Sequence, residues 1–329
     1  MRFVSVLSEF ELVRLGQADL AWGQTRRREE GNMTFPATGK VTLRTNLADH
    51  PVSLALKDGS IRSDLVEFDF AGPKTANQGF KPMVREGAFT AGELAIATYF
   101  QAKAFGKKLV ALPAPVVSRT QHHTIAFNAN RGGVTPKDLE GKKVGIRAYS
   151  VTTVMWVRGI LQHEYGVDLS KIHWVTVEDP HVLEFVDPAN CTRVQPGQTL
   201  EQLLADGDVV AAVLGDKLPD VPGFKHLFPQ PDVLAKEWLA KYGMHVPINH
   251  IFCVHSDLPK ERPDVVREVY RMLSEANAAA PEAAAKMAPF GVEPNRKSLQ
   301  MALDFSTEQG LLPKPLTVDD LFDDVTRAL

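Results

Sequence analysis

The sequence is poor in cysteine, in charge of one sign and in long apolar runs, and each shortage excludes a class of protein. It has only two cysteines, Cys191 and Cys253, in neither a CxxC pair nor a zinc-binding spacing, so we expect two buried, reduced thiols. The net charge of −3, with both signs interspersed, gives no reason to expect binding to nucleic acid or to an anionic membrane. No apolar stretch approaches the length that spans a bilayer.

The first residues also lack the features of a secretory signal. Such a signal combines a basic start, an apolar segment and a small-residue cleavage site, whereas charged residues such as Glu9, Glu11 and Arg14 run through this segment. We therefore expect a cytoplasmic protein. Residues 1–40 contain a charge run and then a stretch rich in Gly, Pro and Thr, which predicts a flexible or loosely docked N-terminal extension. A dimer contact is the alternative, so a homo-oligomer stays open.

Several enzyme motifs are missing as well. The sequence contains no GxGxxG, GxxxxGK[ST], GxSxG or HExxH pattern. Their absence argues against redox cofactors, ATP chemistry and a hydrolase with a nucleophile elbow. No cofactor is required by the residues that remain.

What the sequence does contain is enough chain for two domains, with 329 residues, of which 44% are hydrophobic and 23% charged. Strand patterns such as VTLRTNL, KLVALPAPVV and KVGIRAY alternate with helical patterns, which predicts a parallel or mixed α/β sheet. After the strand INHIFCVH come two helices, near residues 259–276 and 296–309, that have no strands of their own to cover. We expect both to pack back on the first unit.

The chain therefore crosses twice between two units. Lobe one would comprise residues 41–130 and 246–329, and lobe two residues 131–245. The crossings, near residues 128–133 and 246–249, would form a hinge. This layout predicts an α/β, two-lobed periplasmic-binding-protein-like (type II) fold with a ligand cleft between the lobes.

Polar residues near strand ends supply the candidates for a site in that cleft. Arg119, His122 and His123 precede the strand TIAFN, and because adjacent strand residues point to opposite faces, we expect one of the two histidines to be structural. Asn249 and His250 lie at the second crossing, where the imidazole faces either the cleft or the core.

A second cluster follows the strand KVGIRAY. Arg147 ends this strand, and Ser150, Thr152 and Thr153 open a helix that also carries Arg158. Capping would explain the hydroxyl groups. We favour a carboxylate site, because N–H groups at a helix N-terminus, hydroxyl groups and an arginine together bind anions.

A third cluster, Glu178, Asp179 and His181, follows the strand HWVTV. It predicts either a proton relay or a solvated turn.

From about Val41 to its C-terminus, the chain resembles the 4,5-dihydroxyphthalate decarboxylases. The resemblance is carried by GELAIATYFQAKAFGKKLVALP, SRTQHHTIAFN, KKVGIRAYSVTTVMWVRGILQHEYGVD, WVTVEDPHV, PINHIFCV and EQGLLPKPLTVDDLF, and the third block is the most specific. It implies a cytoplasmic carboxy-lyase that converts 4,5-dihydroxyphthalate to protocatechuate and CO₂ without oxidation, in phthalate degradation. The expected partner is then a small aromatic carboxylate.

This chemistry needs a cationic anchor for the carboxylate that stays and a proton donor for the ring carbon. Arg147, with Ser150, Thr152 and Thr153, suits the anchor. The remaining candidates for substrate binding are Arg119, Arg158, Asn249 and His181. The candidates for proton transfer are Glu93, His122, His123 and His250, with His181 as a further possibility.

Three points stay open at this level. The histidines and Glu93 could hold one divalent metal through the catechol oxygens, although no spacing requires it and we assign no metal ligand. The same fold usually serves as the solute-binding protein of an ABC transporter, here for an aromatic or other small carboxylate. A cytoplasmic enzyme resembling chorismate dehydratase would also bind a carboxylate.

Overall fold

The computed structural model describes residues 33–281 and 287–329, which form two lobes, each built on one β-sheet. The sheet of lobe one has five strands in the order β2-β1-β3-β11-β4, and that of lobe two has six in the order β10-β5-β9-β6-β7-β8. The strands are β1 (Val41–Asn46), β2 (Val66–Asp69), β3 (Ala91–Ala95), β4 (Leu109–Ser118), β5 (Ile125–Asn128), β6 (Lys143–Ile146), β7 (His173–Thr176), β8 (Cys191–Arg193), β9 (Ala211–Val213), β10 (Phe224–His226) and β11 (Ile248–His255).

Both sheets are mixed, as the alternation of strands and helices predicts. In lobe one, β1 runs parallel to β2 and β3, whereas β11 returns from lobe two and lies antiparallel between β3 and β4. In lobe two, β6 is parallel to β7 and β9, and β5 is antiparallel to β9 and β10.

The position of β5 corrects one expected boundary. Residues 41–130 were expected in lobe one, but β5 pairs with β9 and β10 in the sheet of lobe two. The first crossing therefore lies between Ser118 and Ile125 rather than near residues 128–133. A strand pattern shows that a segment is extended, but the partner it pairs with depends on the tertiary structure. The second crossing, just before Ile248, lies where the sequence places it.

Ten α-helices cover the sheets in the described part of the chain. They are α1 (Leu54–Lys57), α2 (Ala76–Glu86), α3 (Ile96–Ala104), α4 (Thr152–Tyr165), α5 (Leu200–Asp206), α6 (Pro231–Tyr242), α7 (Leu258–Glu261), α8 (Pro263–Ala278), α9 (Arg296–Glu308) and α10 (Asp324–Arg327). None of the helices in the described ranges combines the length and the apolar character needed to cross a membrane.

Sequence analysis misses α2 altogether. Gly79 and Pro82 lie inside it, and both residue types indicate turns or breaks. The helix forms nonetheless, because its Phe80, Met83 and Val84 are buried against lobe one. Tertiary packing of this apolar face outweighs the low helix propensity of the two residues.

The last long helix, α9, was expected to pack on lobe one, and the structure shows that it packs on both lobes. It contacts α3 of lobe one and, more extensively, α4 of lobe two. The ring of Phe305 packs edge-on against Trp156, with the ring centroids 5.6 Å apart. The amide of Gln309 donates to the Met155 carbonyl at 2.9 Å. The helix thus joins the lobes, and one apolar cluster is continuous through both.

The end of the expected N-terminal extension is docked on lobe one. Phe35 is buried, and its N–H donates to Glu261 at 2.8 Å. Arg262 donates to the carbonyls of Pro36 and Gly39 at 2.6 and 3.2 Å. Of the expected flexible or loosely docked extension, residues 33–40 are therefore docked, and residues 1–32 lie outside the described residues.

The cysteines differ in exposure. Cys253 is buried as expected, whereas Cys191 is only partly buried, at the start of the short strand β8. Neither is paired in a disulfide.

The close contact between α4 and α9 predicts that adding one methyl group at Gly159 of α4 lowers the stability of the fold. A Cβ atom at Gly159 would overlap the ring of Phe305, so Gly159→Ala should destabilise the fold by about 1–3 kcal/mol. The matched control is Gly133→Ala, because a Cβ atom there meets open space. Urea unfolding followed by circular dichroism measures both, and equal midpoints for the two variants would contradict the prediction.

Candidate functional site

The candidate site is a cavity of about 610 Å³ between the lobes, a volume suited to a small organic ligand. It is bounded by Ala95, where β3 ends, by the N-terminus of α4 and by the strand β11, which returns from lobe two. Its polar lining includes Arg119, Arg147, Thr152, Thr153, Asn249 and His250.

Two helices begin at this cavity. The helix α3 starts directly after Ala95, and α4 starts at Thr152, which accepts the Ala97 N–H at 3.0 Å through its hydroxyl oxygen. The first N–H groups of a helix have no partner within that helix, and the helix dipole places partial positive charge there. These N–H groups favour an anion at this side of the cavity, whereas the carboxylates of Glu178 and Glu201 also belong to its lining.

The expected hydroxyl cluster is only partly brought to the cavity. Thr152 and Thr153 line it, whereas Ser150 is buried outside the lining. The N-cap of α4 is Val151, and no side chain caps the helix. Helix capping therefore does not account for these hydroxyl groups.

The two arginines of the lining differ in how firmly they are held. Arg119 contacts the Asp216 carboxylate at 3.1 Å and donates to Thr153 at 3.1 Å. Arg147 makes only a loose contact with Glu178, at 4.0 Å. The charge of Arg119 is thus partly offset before any ligand binds, whereas Arg147 offers the stronger unmet positive charge.

Arg158, the third candidate arginine, lies elsewhere. It is fully buried, its guanidinium lies 3.6 Å from the centroid of the Tyr149 ring, and it donates to the Tyr149 carbonyl at 2.7 Å. The structure therefore places it inside lobe two, away from the cavity lining.

Glu93 and His250 come together through the register of the sheet. His250 pairs with Ala95 across the two antiparallel strands, so it is a diagonal neighbour of Glu93 on the same face of the sheet. Its Nδ1 lies 2.7 Å from a Glu93 carboxylate oxygen. The imidazole lines the cavity, whereas the Glu93 side chain is fully buried behind it.

A third residue of this group, His50, was missed by sequence analysis. Its Nε2 lies 2.9 and 3.0 Å from the two carboxylate oxygens of Glu93, and the Ala48 N–H donates to one of them at 2.7 Å. His50 lies in a Pro-containing loop after β1, and nothing in the local sequence indicates that this loop reaches Glu93.

The charge state of Glu93 follows from these contacts. Burial by itself raises the pKa of Glu93, but the hydrogen bonds from His250 and His50 outweigh it and lower the pKa to about 2. Glu93 is thus a carboxylate at neutral pH, and each imidazole must donate to it. For His250, this leaves Nε2 as the ring nitrogen available to a ligand.

The adjacent histidines His122 and His123 do not meet at the cavity. His122 is buried next to the rings of Phe228 and Trp238, at 5.7 and 5.6 Å, and burial lowers its pKa to about 4. His123 lies 3.4 Å from Asp216, which also contacts Arg119. The structure therefore supports the expectation that one of the pair is structural, and neither forms part of the lining.

The segment with Asp179 and His181 contacts lobe one, whereas Glu178 of the same cluster lines the cavity. Asp179 pairs with Lys81 and Arg85 of α2 at 2.5 and 2.6 Å. His181 is buried, with its Nδ1 2.7 Å from the Thr98 hydroxyl. Burial, aided by neighbouring positive charges, lowers the pKa of His181 to about 3, so it is neutral at pH 7.

The remaining candidate, Asn249, lines the cavity, and its side-chain oxygen accepts from Gln121 at 2.8 Å. Other lining residues were not predicted. Asn77 and Phe80 belong to α2, and Thr199 and Glu201 lie around the start of α5. The only signal for the last two was their position just before and at the start of a predicted helix.

No three His, Cys, Asp or Glu side chains within residues 33–281 and 287–329 are arranged to hold a metal ion. The group of His50, Glu93 and His250 is instead closed by hydrogen bonds to the carboxylate.

Comparison with known sequences confirms the resemblance found from the sequence blocks. The chain is 28% identical over 254 residues to a 4,5-dihydroxyphthalate decarboxylase of Comamonas testosteroni, covering 73% of this chain and 76% of that one. It is 27% identical over 196 residues to a 4,5-dihydroxyphthalate decarboxylase of Pseudomonas putida, covering 56% and 75% of the two chains. No family model matches the chain.

Comparison with solved structures confirms the two-lobed periplasmic-binding-protein-like fold. The alkanesulfonate-binding protein of Xanthomonas axonopodis pv. citri, bound to MOPS, superposes with a TM-score of 0.58 at 16% identity, covering 88% of this chain and 99% of that one. The periplasmic aliphatic sulphonate binding protein of Escherichia coli gives a TM-score of 0.55 at 14% identity, with the same coverage. At such low identity, these similarities concern the fold alone.

The contact between Asp179 and α2 predicts a pH-dependent contribution to stability. Partial burial tends to raise the pKa of Asp179, but the hydrogen bonds from Arg85 and Lys81 hold it well below its usual value. The contribution is therefore fully present above the unfolded-state pKa of about 3.9, and it shrinks progressively as the pH falls from that value towards the lower folded-state pKa. At pH 7, Asp179→Asn should destabilise the protein by up to about 1 kcal/mol, because the pair is partly exposed.

Thermal unfolding from pH 3 to 8 measures this difference. The exposed loop residue Asp220 provides the control variant Asp220→Asn. A difference between parent and Asp179→Asn that is as large at pH 3 as at pH 7 would show that the ion pair is not its source.

Proposed function

We propose that the protein is a carboxy-lyase that removes one carboxylate from a dihydroxylated aromatic dicarboxylate. The substrate that meets these chemical requirements is 4,5-dihydroxyphthalate, which would give protocatechuate and CO₂ in phthalate degradation. The observation that carries the proposal is the His250–Glu93 pair at a cavity that also presents two arginines and two helix N-termini. The names of the relatives support the same reaction.

Arg147 would anchor the carboxylate that remains on the ring. Its contact with Glu178 is long, so a ligand carboxylate can form a closer pair than the one already present. The N–H groups at the start of α4 and the Thr152 and Thr153 side chains would complete the anion site.

The departing carboxylate has the opposite requirement. It becomes neutral CO₂, so a strong ion pair would stabilise the substrate more than the transition state. Arg119 suits this position, because Asp216 already offsets part of its charge.

The proton would come from His250. Overall, the arene carboxylate and one proton give the arene and CO₂. A hydroxyl group para to the departing carboxylate supplies electrons to the ring, and a protonated His250 transfers its Nε2 proton to the ring carbon that bears this carboxylate, so that a C–H bond forms, the N–H bond breaks and the imidazole becomes neutral. The carbon–carboxylate bond then breaks, and its electron pair restores the aromatic ring. Glu93 stabilises the imidazolium and fixes its orientation through Nδ1.

The direct test is to incubate the full chain with 4,5-dihydroxyphthalate and to measure protocatechuate and CO₂ by chromatography and gas analysis. Formation of both products in equal amounts supports the proposal. Binding of the compound without turnover would instead favour a solute-binding protein, the function of the structural neighbours named above.

Replacing His250 tests the proton donor. His250→Gln should lower kcat at least about 100-fold, the usual contribution of a general acid, while the protein stays folded. His122→Gln and His123→Gln should each keep kcat within about tenfold of the parent, since neither residue lines the cavity. A larger loss of kcat in His123→Gln than in His250→Gln would instead assign the proton-donor role to His123, which contacts Asp216.

Replacing Arg147 tests the anchor. Arg147→Ala should lower kcat/KM at least about tenfold, because a charged hydrogen-bonded partner of the substrate is removed. Arg267→Ala, at an exposed position of α8, is the matched control and should leave both constants unchanged. A change of less than about threefold in Arg147→Ala would move the anchor to Arg119.

A further inference from the structure

The Glu93 carboxylate receives hydrogen bonds from three sides. His250 donates to one oxygen, the Ala48 N–H donates to the other, and His50 Nε2 lies within 3.0 Å of both. The side chain is completely buried, so water cannot replace a lost donor without rearrangement. A buried carboxylate is costly unless its oxygens are paired, which makes each of these donors energetically significant.

His50 is itself fixed in place by its loop. Its N–H donates to the Ser53 hydroxyl oxygen at 2.9 Å, and the Ser53 N–H donates to the His50 carbonyl at 2.8 Å. The Ser53 hydroxyl lies within reach of the Ala48 carbonyl at 2.8 Å, and Ser53 is buried. The loop of residues 48–53 thus presents both the Ala48 N–H and the His50 imidazole to Glu93.

We propose that His50 is a positioning residue that acts on His250 through Glu93. Because His50 contacts both carboxylate oxygens, it fixes the rotation of the carboxylate plane, and this aims one oxygen at Nδ1 of His250. Without His50, the carboxylate could rotate towards other donors, and the bond to His250 would lengthen. His50 does not line the cavity, so it would affect proton transfer more than substrate binding.

The test compares variants that keep or remove the donor. His50→Leu fills a similar volume without a donor, whereas His50→Gln keeps an N–H group near the position of Nε2. We expect His50→Leu to lower kcat at least about tenfold with KM within about threefold, since an orienting contact is lost rather than a binding contact. His50→Gln should retain at least about five times the kcat of His50→Leu.

A spectroscopic measurement needs no substrate. The Nδ1 proton of His250, assigned by its loss in His250→Gln, should move upfield in the ¹⁵N-edited NMR spectrum of His50→Leu and less in that of His50→Gln. The matched control is His163→Leu, which removes a His–Glu contact of 2.7 Å far from the cavity and should change neither kcat nor this signal.

The kinetic test rests on the proposed decarboxylation, whereas the NMR test does not. If the parent fails to turn over 4,5-dihydroxyphthalate, the proposed function fails, and the NMR signal alone decides the role of His50. An unchanged signal in His50→Leu, or an unchanged kcat, would overturn the role. If His50→Leu does not fold, His50→Asn replaces it, because the shorter amide cannot reach Glu93. Equal kcat and equal signals for His50→Asn and His50→Gln would then refute the proposal.

Discussion

The buried carboxylate of Glu93 constrains much of the architecture around the cleft. Glu93 lies inside β3, the strand next to β11, and hydrogen bonds from two other segments of the chain keep its carboxyl group ionised. The Ala48 N–H and His50 donate from the loop after β1, and His250 donates from β11, more than 150 residues away in sequence. Loss of any of these donors would leave a buried charge incompletely paired, so the loop, β3 and β11 must keep their relative positions. That rigidity holds one imidazole at the wall of the cavity.

The charges around the cavity form a graded set rather than a uniform positive surface. Arg147 is loosely paired, Arg119 is partly offset by Asp216, and helix N-termini add partial charges without mobile side chains. Such an arrangement can hold one carboxylate firmly and another weakly. A carboxylate that stays bound is stabilised by a strong positive charge, whereas one that leaves as neutral CO₂ needs a weaker one. Two arginines at separate positions can meet these two requirements.

Contacts between the lobes surround the same cavity. Asp179 pairs with α2, the Thr152 hydroxyl accepts from Ala97 of α3, and α9 packs against both α3 and α4. The apolar part of this contact is continuous with the core of each lobe, whereas the ion pair is partly exposed. Opening of the cleft would therefore disrupt buried packing as well as surface charge, and apolar packing contributes the larger share of the energy.

Much of the fold follows from local sequence patterns. Helix α4 spans the residues that its apolar stripe indicates, β4 and β11 follow from long apolar runs, and the late return of the chain to lobe one predicts two lobes with a cleft. Arg147, Thr152 and Thr153 were found in the same way, because a strand, a turn and a helix N-terminus are contiguous in sequence. These features depend on residues within a few positions of one another. The spacing of apolar residues along the sequence indicates such local structure directly.

What the sequence by itself determined is therefore the two-lobed architecture and the group of Arg147, Thr152 and Thr153 that lines one side of the cleft. Only the tertiary structure decided that β5 belongs to lobe two, that α2 forms despite Gly79 and Pro82, that Arg158 and His122 are buried in cores, and that His50 reaches Glu93. Each of these outcomes depends on a partner distant in the chain. Adjacent residues reveal which conformation is favoured, but the energy of burial and pairing with a distant partner decides where a side chain finally lies.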